Sequence, residues 1–223
     1  MISSFSKNNF HSICDELAAK DRALRSIVQT YGYPPMWTRP NSFESLIHII
    51  LEQQVSLASA LAALNKLKEK LGKVTPAALL KLTDEELKAC YFSRQKTIYA
   101  RALAEALASK KIVLSKLEKL EDDEVRTQLV SLKGIGNWTV DIYLMFVLQR
   151  TDHFPIGDLA AVNALKQVMK LPKDTEKEKI IRLASKWKPY RTVATMILWH
   201  YYLSTRGKKQ LMESGQKEKD IIP

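Results

Sequence analysis

Residues 138–148, Trp-Thr-Val-Asp-Ile-Tyr-Leu-Met-Phe-Val-Leu, are apolar on almost every face of a helix. A helix of that kind is stable in water only when other helices enclose it, so the segment predicts a central, buried helix. It follows Leu132-Lys133-Gly134-Ile135-Gly136-Asn137. Two glycines one residue apart predict a turn that only a near-bare backbone takes. Glycine reaches positive φ without steric cost, and successive N–H groups can then point the same way. The following helix adds its unpaired N-terminal donors and positive dipole end. Such a loop can hold a phosphate oxygen without a charged side chain. Twenty residues after Trp138 stands Asp158, in Phe154-Pro155-Ile156-Gly157-Asp158, a candidate reactive carboxylate.

Nearly every other segment also reads as helix. Asp21 is placed to cap a helix reaching Tyr31, with Gly32 as its stop and Pro34-Pro35 forcing an extended loop. Ser42 opens the next helix, and Ser56 caps another that runs to Leu71 and ends at Gly72. Pro76 suits a first helical position after Thr75. Capping-box patterns stand at Thr83…Glu86, Ser115…Glu118 and Thr175…Glu178. No segment alternates over strand length between hairpin turns, so the predicted architecture is all-α. Gly207 to Lys219 is polar, mixed in charge and reads as a frayed tail.

The 223 residues suffice for one domain or two small ones, and 46% hydrophobic content with four Trp suits a packed core. Lys and Arg outnumber Asp and Glu by 35 to 24, a net charge of +11, which points to a polyanionic partner. Two cysteines, Cys14 and Cys90, make no metal-ligand or disulfide framework and suit a reducing compartment. Residues 1–7 lack the apolar core of a signal peptide, and no apolar run approaches the roughly 20 residues that span a bilayer. The expectation is a soluble intracellular protein with no membrane partner, in the cytoplasm or nucleoid of a bacterium or the nucleus of a eukaryote.

Leu-x-Gly-Ile-Gly-x-Trp-Thr at 132–139 with Phe-Pro-x-Gly-Asp at 154–158 resembles the helix-hairpin-helix (HhH-GPD) DNA glycosylases. Within them it is similar to the 3-methyladenine DNA glycosylase II branch, which removes alkylated bases. Three further matches extend the likeness. Phe43-Glu44-Ser45-Leu46 through Leu51-Glu52-Gln53-Gln54-Val55-Ser56 resembles the family's Phe-Glu-x-Leu…Gln-Gln-Val-Ser segment. Trp187-Lys188-Pro189-Tyr190-Arg191 resembles its Trp-x-Pro-aromatic-Arg segment, and Trp199 follows twelve residues after Trp187. The matches keep family order from about residue 37 to 202.

The resemblance implies an all-α HhH-GPD fold with two helical subdomains flanking a catalytic cleft. One would be residues 42–150, with the helix-hairpin-helix at about 129–148, and the other 1–41 plus 151–206, followed by a polar tail at 207–223. The best-known bacterial member of this branch carries an extra N-terminal β-rich domain, so this sequence resembles a short form.

Site residues are implied in the same way. Asp158 would be catalytic, although Gly157-Asp158 before Leu159-Ala160-Ala161-Val162 is also a good helix cap, and both roles can hold at once. Cleaving an ordinary O-glycoside usually takes two carboxylates, one protonating the leaving group. An N3- or N7-alkylated purine is already cationic, so one carboxylate that stabilises the oxocarbenium-like sugar suffices. Trp138 takes the place at which glycosylases that also cut the strand carry a Schiff-base lysine, which implies a monofunctional enzyme. The iron–sulfur endonuclease III branch needs four C-terminal cysteines and is excluded.

Trp138 and Trp199 fall on the family's base pocket, where an indole face attracts a cationic base by about 0.5–2 kcal/mol more than a neutral one. Ile142 stands where the bacterial relative has a pocket tyrosine. The alternative for Trp199 is a core residue sharing a helix face with Met196 and Leu203. Gln54 would fill the gap left by a flipped nucleotide and Gln53 would brace the loop. The alternative is two polar residues at a helix–helix turn capped by Ser56.

Lys133, Gly134, Gly136 and Thr139 would grip the DNA backbone, with Lys133 replacing the motif's usual proline. Main-chain carbonyls near Val130, Leu132 and Ile135 are implied ligands of Na+ or K+, and no cofactor is required for catalysis. The expected partner is double-stranded DNA containing alkylated bases, met by a monomer. Two other functions stay open: a non-catalytic lesion-binding protein, and a glycosylase for deaminated or etheno bases. Tyr143, His153 and His200 receive no role, since a lone His in a helical protein is usually structural and none has a partner at metal or triad spacing.

Overall fold

The apolar segment forms α10 (Asn137–Phe146), in which every residue from Thr139 to Met145 is buried. The computed structural model describes residues 3–214, with side chains for 3–206. Before α10 come α1 (Phe10–Lys20), α2 (Arg22–Tyr31), α3 (Phe43–Glu52), α4 (Leu57–Leu71), α5 (Pro76–Leu80), α6 (Asp84–Ala89), α7 (Arg94–Ala108), α8 (Leu114–Leu117) and α9 (Asp122–Val130). After it come α11 (Leu159–Val168), α12 (Lys177–Ala184), a 3-10 turn at Ser185–Trp187 and α13 (Arg191–Ser214). Among the described residues there is no strand, only an isolated bridge between Ser4 and Arg150.

The described residues divide into two compact units, one formed by residues 38–148 and one by 3–37 with 149–214. The boundaries lie a few residues before those at 42 and 150 that the family likeness implied. Residues 39–41 are tied into the first unit: the Arg39 N–H donates to the Phe146 carbonyl at 2.8 Å, and Asn41 Nδ2 donates to the Leu114 carbonyl at 3.0 Å. On the other side, the Phe5 N–H donates to the Gln149 carbonyl and the Thr151 N–H to that of Ser3. These pairings join the amino-terminal segment to the second unit.

In the first unit α3 packs against α4, α7 and α10, and α9 packs against α10. Ile47, Ile49, Ile50 and Leu51 of α3 are fully buried beside the apolar α10. In the second unit α13 packs against α1, α2 and α11, around Leu24, Leu165, Ile197 and Trp187. The Trp187 indole N–H donates to Asp21 Oδ2 at 2.9 Å. Asp21 Oδ1 meanwhile caps α2 through the Ala23 and Leu24 N–H groups, so one carboxylate serves two purposes.

Most predicted caps are present, at Asp21, Ser42, Ser56, Thr75 and the Thr83–Glu86 box. Two are not. Helix α8 begins at Leu114, so Ser115 lies inside it, and Glu118 accepts from Asn41 Nδ2 at 2.8 Å instead. The Thr175 hydroxyl turns back to the Pro172 carbonyl, and Glu176 opens α12. A reciprocal Glu121–Glu124 box that the sequence did not suggest opens α9. The tail expected from residue 207 is helical in α13 as far as Ser214. A single glycine there costs about 1 kcal/mol against alanine without removing a hydrogen-bond donor, so it need not end a helix. Residues 215–223 of the expected tail lie outside the described residues.

Candidate functional site

Asp158 is the N-cap of α11, and its Oδ1 accepts from the Ala161 N–H at 2.8 Å. The same oxygen accepts the indole N–H of Trp199, on α13, at 3.0 Å. Asp158 is half-buried and Trp199 is 9% exposed. The carboxylate is thus held from its own helix and from a neighbouring one, at the positive end of the α11 dipole. The two expectations for Trp199 were a pocket wall and a core residue. Its ring is nearly buried, but its polar edge is committed to the candidate catalytic group, while Leu203 on the expected core face is 44% exposed. Leu159, directly after Asp158, is exposed.

In the first unit, residues 131–136 make the turn between α9 and α10. Gly134 has φ +87°, which L side chains rarely adopt. Gly136 differs: with φ −101° and ψ −179° it is ordinary extended backbone, and nothing lies within 4 Å of a built Cβ. The expectation that both glycines serve the turn is therefore corrected. Position 136 is the exposed N-cap of α10, without a side-chain cap, where a bare backbone leaves the helix end open to an incoming group.

Lys133 is exposed and Trp138 half-buried, while Ile142 is buried. Thr139 is only 2% exposed and its Oγ1 accepts from Gln53 Nε2 at 2.9 Å. Its hydroxyl braces the interior, so any part for Thr139 in holding a backbone phosphate falls to its main chain.

Gln53 and Gln54 part company at the end of α3. Gln53 turns inward, and its Nε2 also donates to the Gly134 carbonyl at 2.9 Å. Gln54 is exposed at the loop tip with φ +57°, an unusual conformation for a residue with a side chain. Exposed Val55 and Leu57 flank it. Just behind, Arg39 grips both Glu52 oxygens, Nη1 reaching Oε2 at 2.9 Å and Nη2 reaching Oε1 at 2.5 Å. His48 Nε2 lies 3.6 Å from the same Oε1, but burial first and Arg39 second hold its pKa below the ordinary histidine value. With Arg39 occupying the carboxylate, this contact belongs to a neutral imidazole rather than an ion pair.

The residues whose carbonyls the family likeness implied as cation ligands lie at or beside this turn. Val130 ends α9, where helix carbonyls lack N–H partners, and the Leu132 carbonyl accepts the Ile135 N–H at 3.2 Å. These are neutral oxygens, and among the described residues no cluster of His, Cys, Asp or Glu could hold a metal ion. Of the residues without a role, the Tyr143 hydroxyl donates to Asn41 Oδ1 at 2.8 Å, His200 Nε2 pairs with the Tyr31 carbonyl, and the His153 N–H donates to the Thr192 hydroxyl.

The sequence profile of the HhH-GPD superfamily base excision DNA repair proteins matches residues 47–189, more than half of the chain. The chain belongs to this superfamily. An alkylbase DNA glycosidase-like protein of Schizosaccharomyces pombe is 30% identical over 190 residues, covering 82% of this chain and 89% of its own. The DNA-3-methyladenine glycosylase 1 of the same yeast is 30% identical over 206 residues, covering 89% and 88%. Among solved structures, the S. pombe 3-methyladenine DNA glycosylase in complex with abasic DNA superposes with a TM-score of 0.76 at 30% identity, over 84% of this chain and 95% of that one. A Bacillus halodurans DNA-3-methyladenine glycosidase matches with a TM-score of 0.73 at 28% identity, over 96% and 99%. The HhH-GPD fold is the one the sequence motifs implied, and no described helix is long and apolar enough to cross a membrane.

Sequence reasoning missed Tyr99 and Lys96 of α7. The ring of Tyr99 fills the space where a Cβ on Gly134 would stand, and Lys96 Nζ donates to the Leu51 carbonyl at 2.6 Å. No local pattern announces either, because each acts on a residue more than 30 positions away.

Proposed function

We propose that this HhH-GPD protein is a monofunctional DNA glycosylase that hydrolyses the N-glycosidic bond of alkylated purines, of the 3-methyladenine and 7-methylguanine type, in intracellular duplex DNA. It acts as a monomer and flips the damaged nucleotide out of the stack. The observation that carries the reading is the Asp158 carboxylate, capping α11 and fixed by the Trp199 indole N–H. Its relatives' names add the substrate class.

The chemistry follows from the charge of the substrate. A 3- or 7-alkylated purine leaves as a neutral base, so the enzyme needs no acid for the leaving group. As the bond breaks, positive charge grows on the sugar, and the preoriented Asp158 carboxylate stabilises it and directs water to the anomeric carbon. One such electrostatic group is worth about 3 kcal/mol in catalysis. Trp138 and Trp199 are the proposed base-contacting residues, with Ile142 making the surroundings of Trp138 less aromatic. Gln54 is the proposed gap-filling residue, and Gly136 with Lys133 and the α10 N-terminus the proposed phosphate grip. A Na+ or K+ held by the carbonyls of Val130, Leu132 and Ile135 would place a positive charge beside that phosphate.

The test is base release from methylated duplex DNA by wild type and Asp158→Asn. Wild type should release base and leave an intact abasic strand, with no covalent adduct trapped by borohydride, because Trp138 offers no amine. Asp158→Asn should lose most release yet still bind the lesion. Binding without release by wild type would instead identify a lesion-recognition protein.

A further inference from the structure

The Gly134 peptide is clamped from two sides within the first unit. A Cβ built on Gly134 would lie 1.9, 2.2 and 2.4 Å from Cγ, Cδ1 and Cδ2 of Tyr99. The base of the ring therefore occupies the place a Cβ would need, space that only glycine leaves free. The Tyr99 hydroxyl accepts from Gln95 Nε2, one turn earlier on α7, while the ring itself makes the contact with Gly134. Gln53 Nε2 reaches the carbonyl of the same glycine and the Thr139 hydroxyl. One turn before Tyr99, Lys96 Nζ donates to the Leu51 carbonyl, two residues ahead of Gln53. The links close a circuit: α7 to the end of α3, on to the hairpin through Gln53, and back to α7 through Tyr99.

We propose that Lys96 and Tyr99 are positioning residues for DNA recognition, which together set the spacing between the hairpin that grips phosphate and the Gln54 loop that enters the duplex. The inference rests on the glycosylase reading above and adds how its two DNA contacts are held in register. The two residues are neighbours on one helix face at i and i+3. One side chain therefore references the loop and the other the hairpin to a single turn of α7. Lys96 is half-buried, and that burial pushes its ammonium below its ordinary pKa. Neither residue touches a reacting atom in this scheme. Losing either should weaken the simultaneous fit of hairpin and loop to DNA and leave the chemical step intact once DNA is bound.

The experiment is single-turnover excision on methylated duplex at increasing protein concentration, for wild type, Lys96→Met, Tyr99→Leu, the double variant and Tyr99→Phe. Thermal unfolding is recorded for each. Each single variant should raise the half-saturating concentration by about tenfold while the plateau rate stays within about threefold of wild type. The double variant should be little worse than the singles, since each change opens the same circuit and the effects are then not additive. Tyr99→Phe keeps the ring on Gly134 and should restore wild-type binding. Unchanged half-saturation in variants that remain folded at the assay temperature would overturn the proposal, as would a fall confined to the plateau rate. A variant unfolded at that temperature is replaced by Tyr99→Met or Lys96→Gln under the same criteria. Failure of wild type to release any base would refute the glycosylase reading itself. Wild-type release with indifferent α7 variants would refute only this inference.

Discussion

The indole N–H of Trp199 and the backbone N–H of Ala161 meet on one oxygen of Asp158, at 3.0 and 2.8 Å. Trp199 thus has a part beyond the aromatic base contact proposed for it. It orients the proposed catalytic carboxylate, and in that scheme the orientation would matter for every substrate alike. Trp199→Phe should lower single-turnover excision of neutral hypoxanthine and cationic 7-methylguanine by a similar factor, roughly ten- to a hundredfold, as expected for the loss of a hydrogen bond to a charged group worth about 1.5–3 kcal/mol. Rates for the two lesions measured side by side check this. A drop confined to 7-methylguanine would return Trp199 to a role in base attraction alone.

The two hairpin glycines should respond in opposite ways to substitution. Gly134→Ala meets both a positive φ and the Tyr99 ring, and the φ alone costs about 1–3 kcal/mol. Its melting temperature should fall. Gly136→Ser should fold as well as wild type, since Ser is a preferred N-cap and the position is open. Its hydroxyl would then take an N–H that a phosphate needs, weakening binding to damaged and undamaged duplexes equally. Thermal melts and titrations with both duplexes decide the matter. Phosphate contacts carry affinity with little base identity, and that affinity should fall steeply with salt.

Gln54→Ala removes the exposed amide at the loop tip and should slow excision of paired lesions about tenfold. The penalty should shrink opposite an abasic site, where little pairing resists flipping. Excision rates with the opposite base varied test this. Insensitivity to the opposite base would remove Gln54 from the gap-filling role.

His48 gives a pH signature. Burial and the nearby Arg39 lower its pKa in the fold below the ordinary value of about 6.5. The unfolded chain therefore binds this proton at a higher pH than the folded chain does. Its contribution is fully present above that ordinary value and is lost as pH falls through it. The melting temperature should drop between pH 7 and pH 5.5, and less in His48→Gln. Equal drops in the two proteins would show that the imidazole protonates in place.

Where a residue's role is set within four positions of chain, sequence alone was enough. Asp21, Ser42, Ser56, Thr83 and Asp158 cap the helices they announce, because an N-cap needs only an oxygen beside the next free N–H groups. The apolar face of α10 and the positive φ of Gly134 were legible for the same reason. Ser115 and Thr175 show the limit, since local patterns compete with nearby partners such as the Pro172 carbonyl.

Tertiary structure decided what each site residue touches. It placed Trp199 on Asp158 across 41 positions of sequence and Gln53 on Gly134 across 81. It also separated the two glycines, one held under a ring of α7 and one open at a helix end. Such pairings depend on how helices pack, and packing sums many weak side-chain contacts spread along the whole chain, none of which a short motif records.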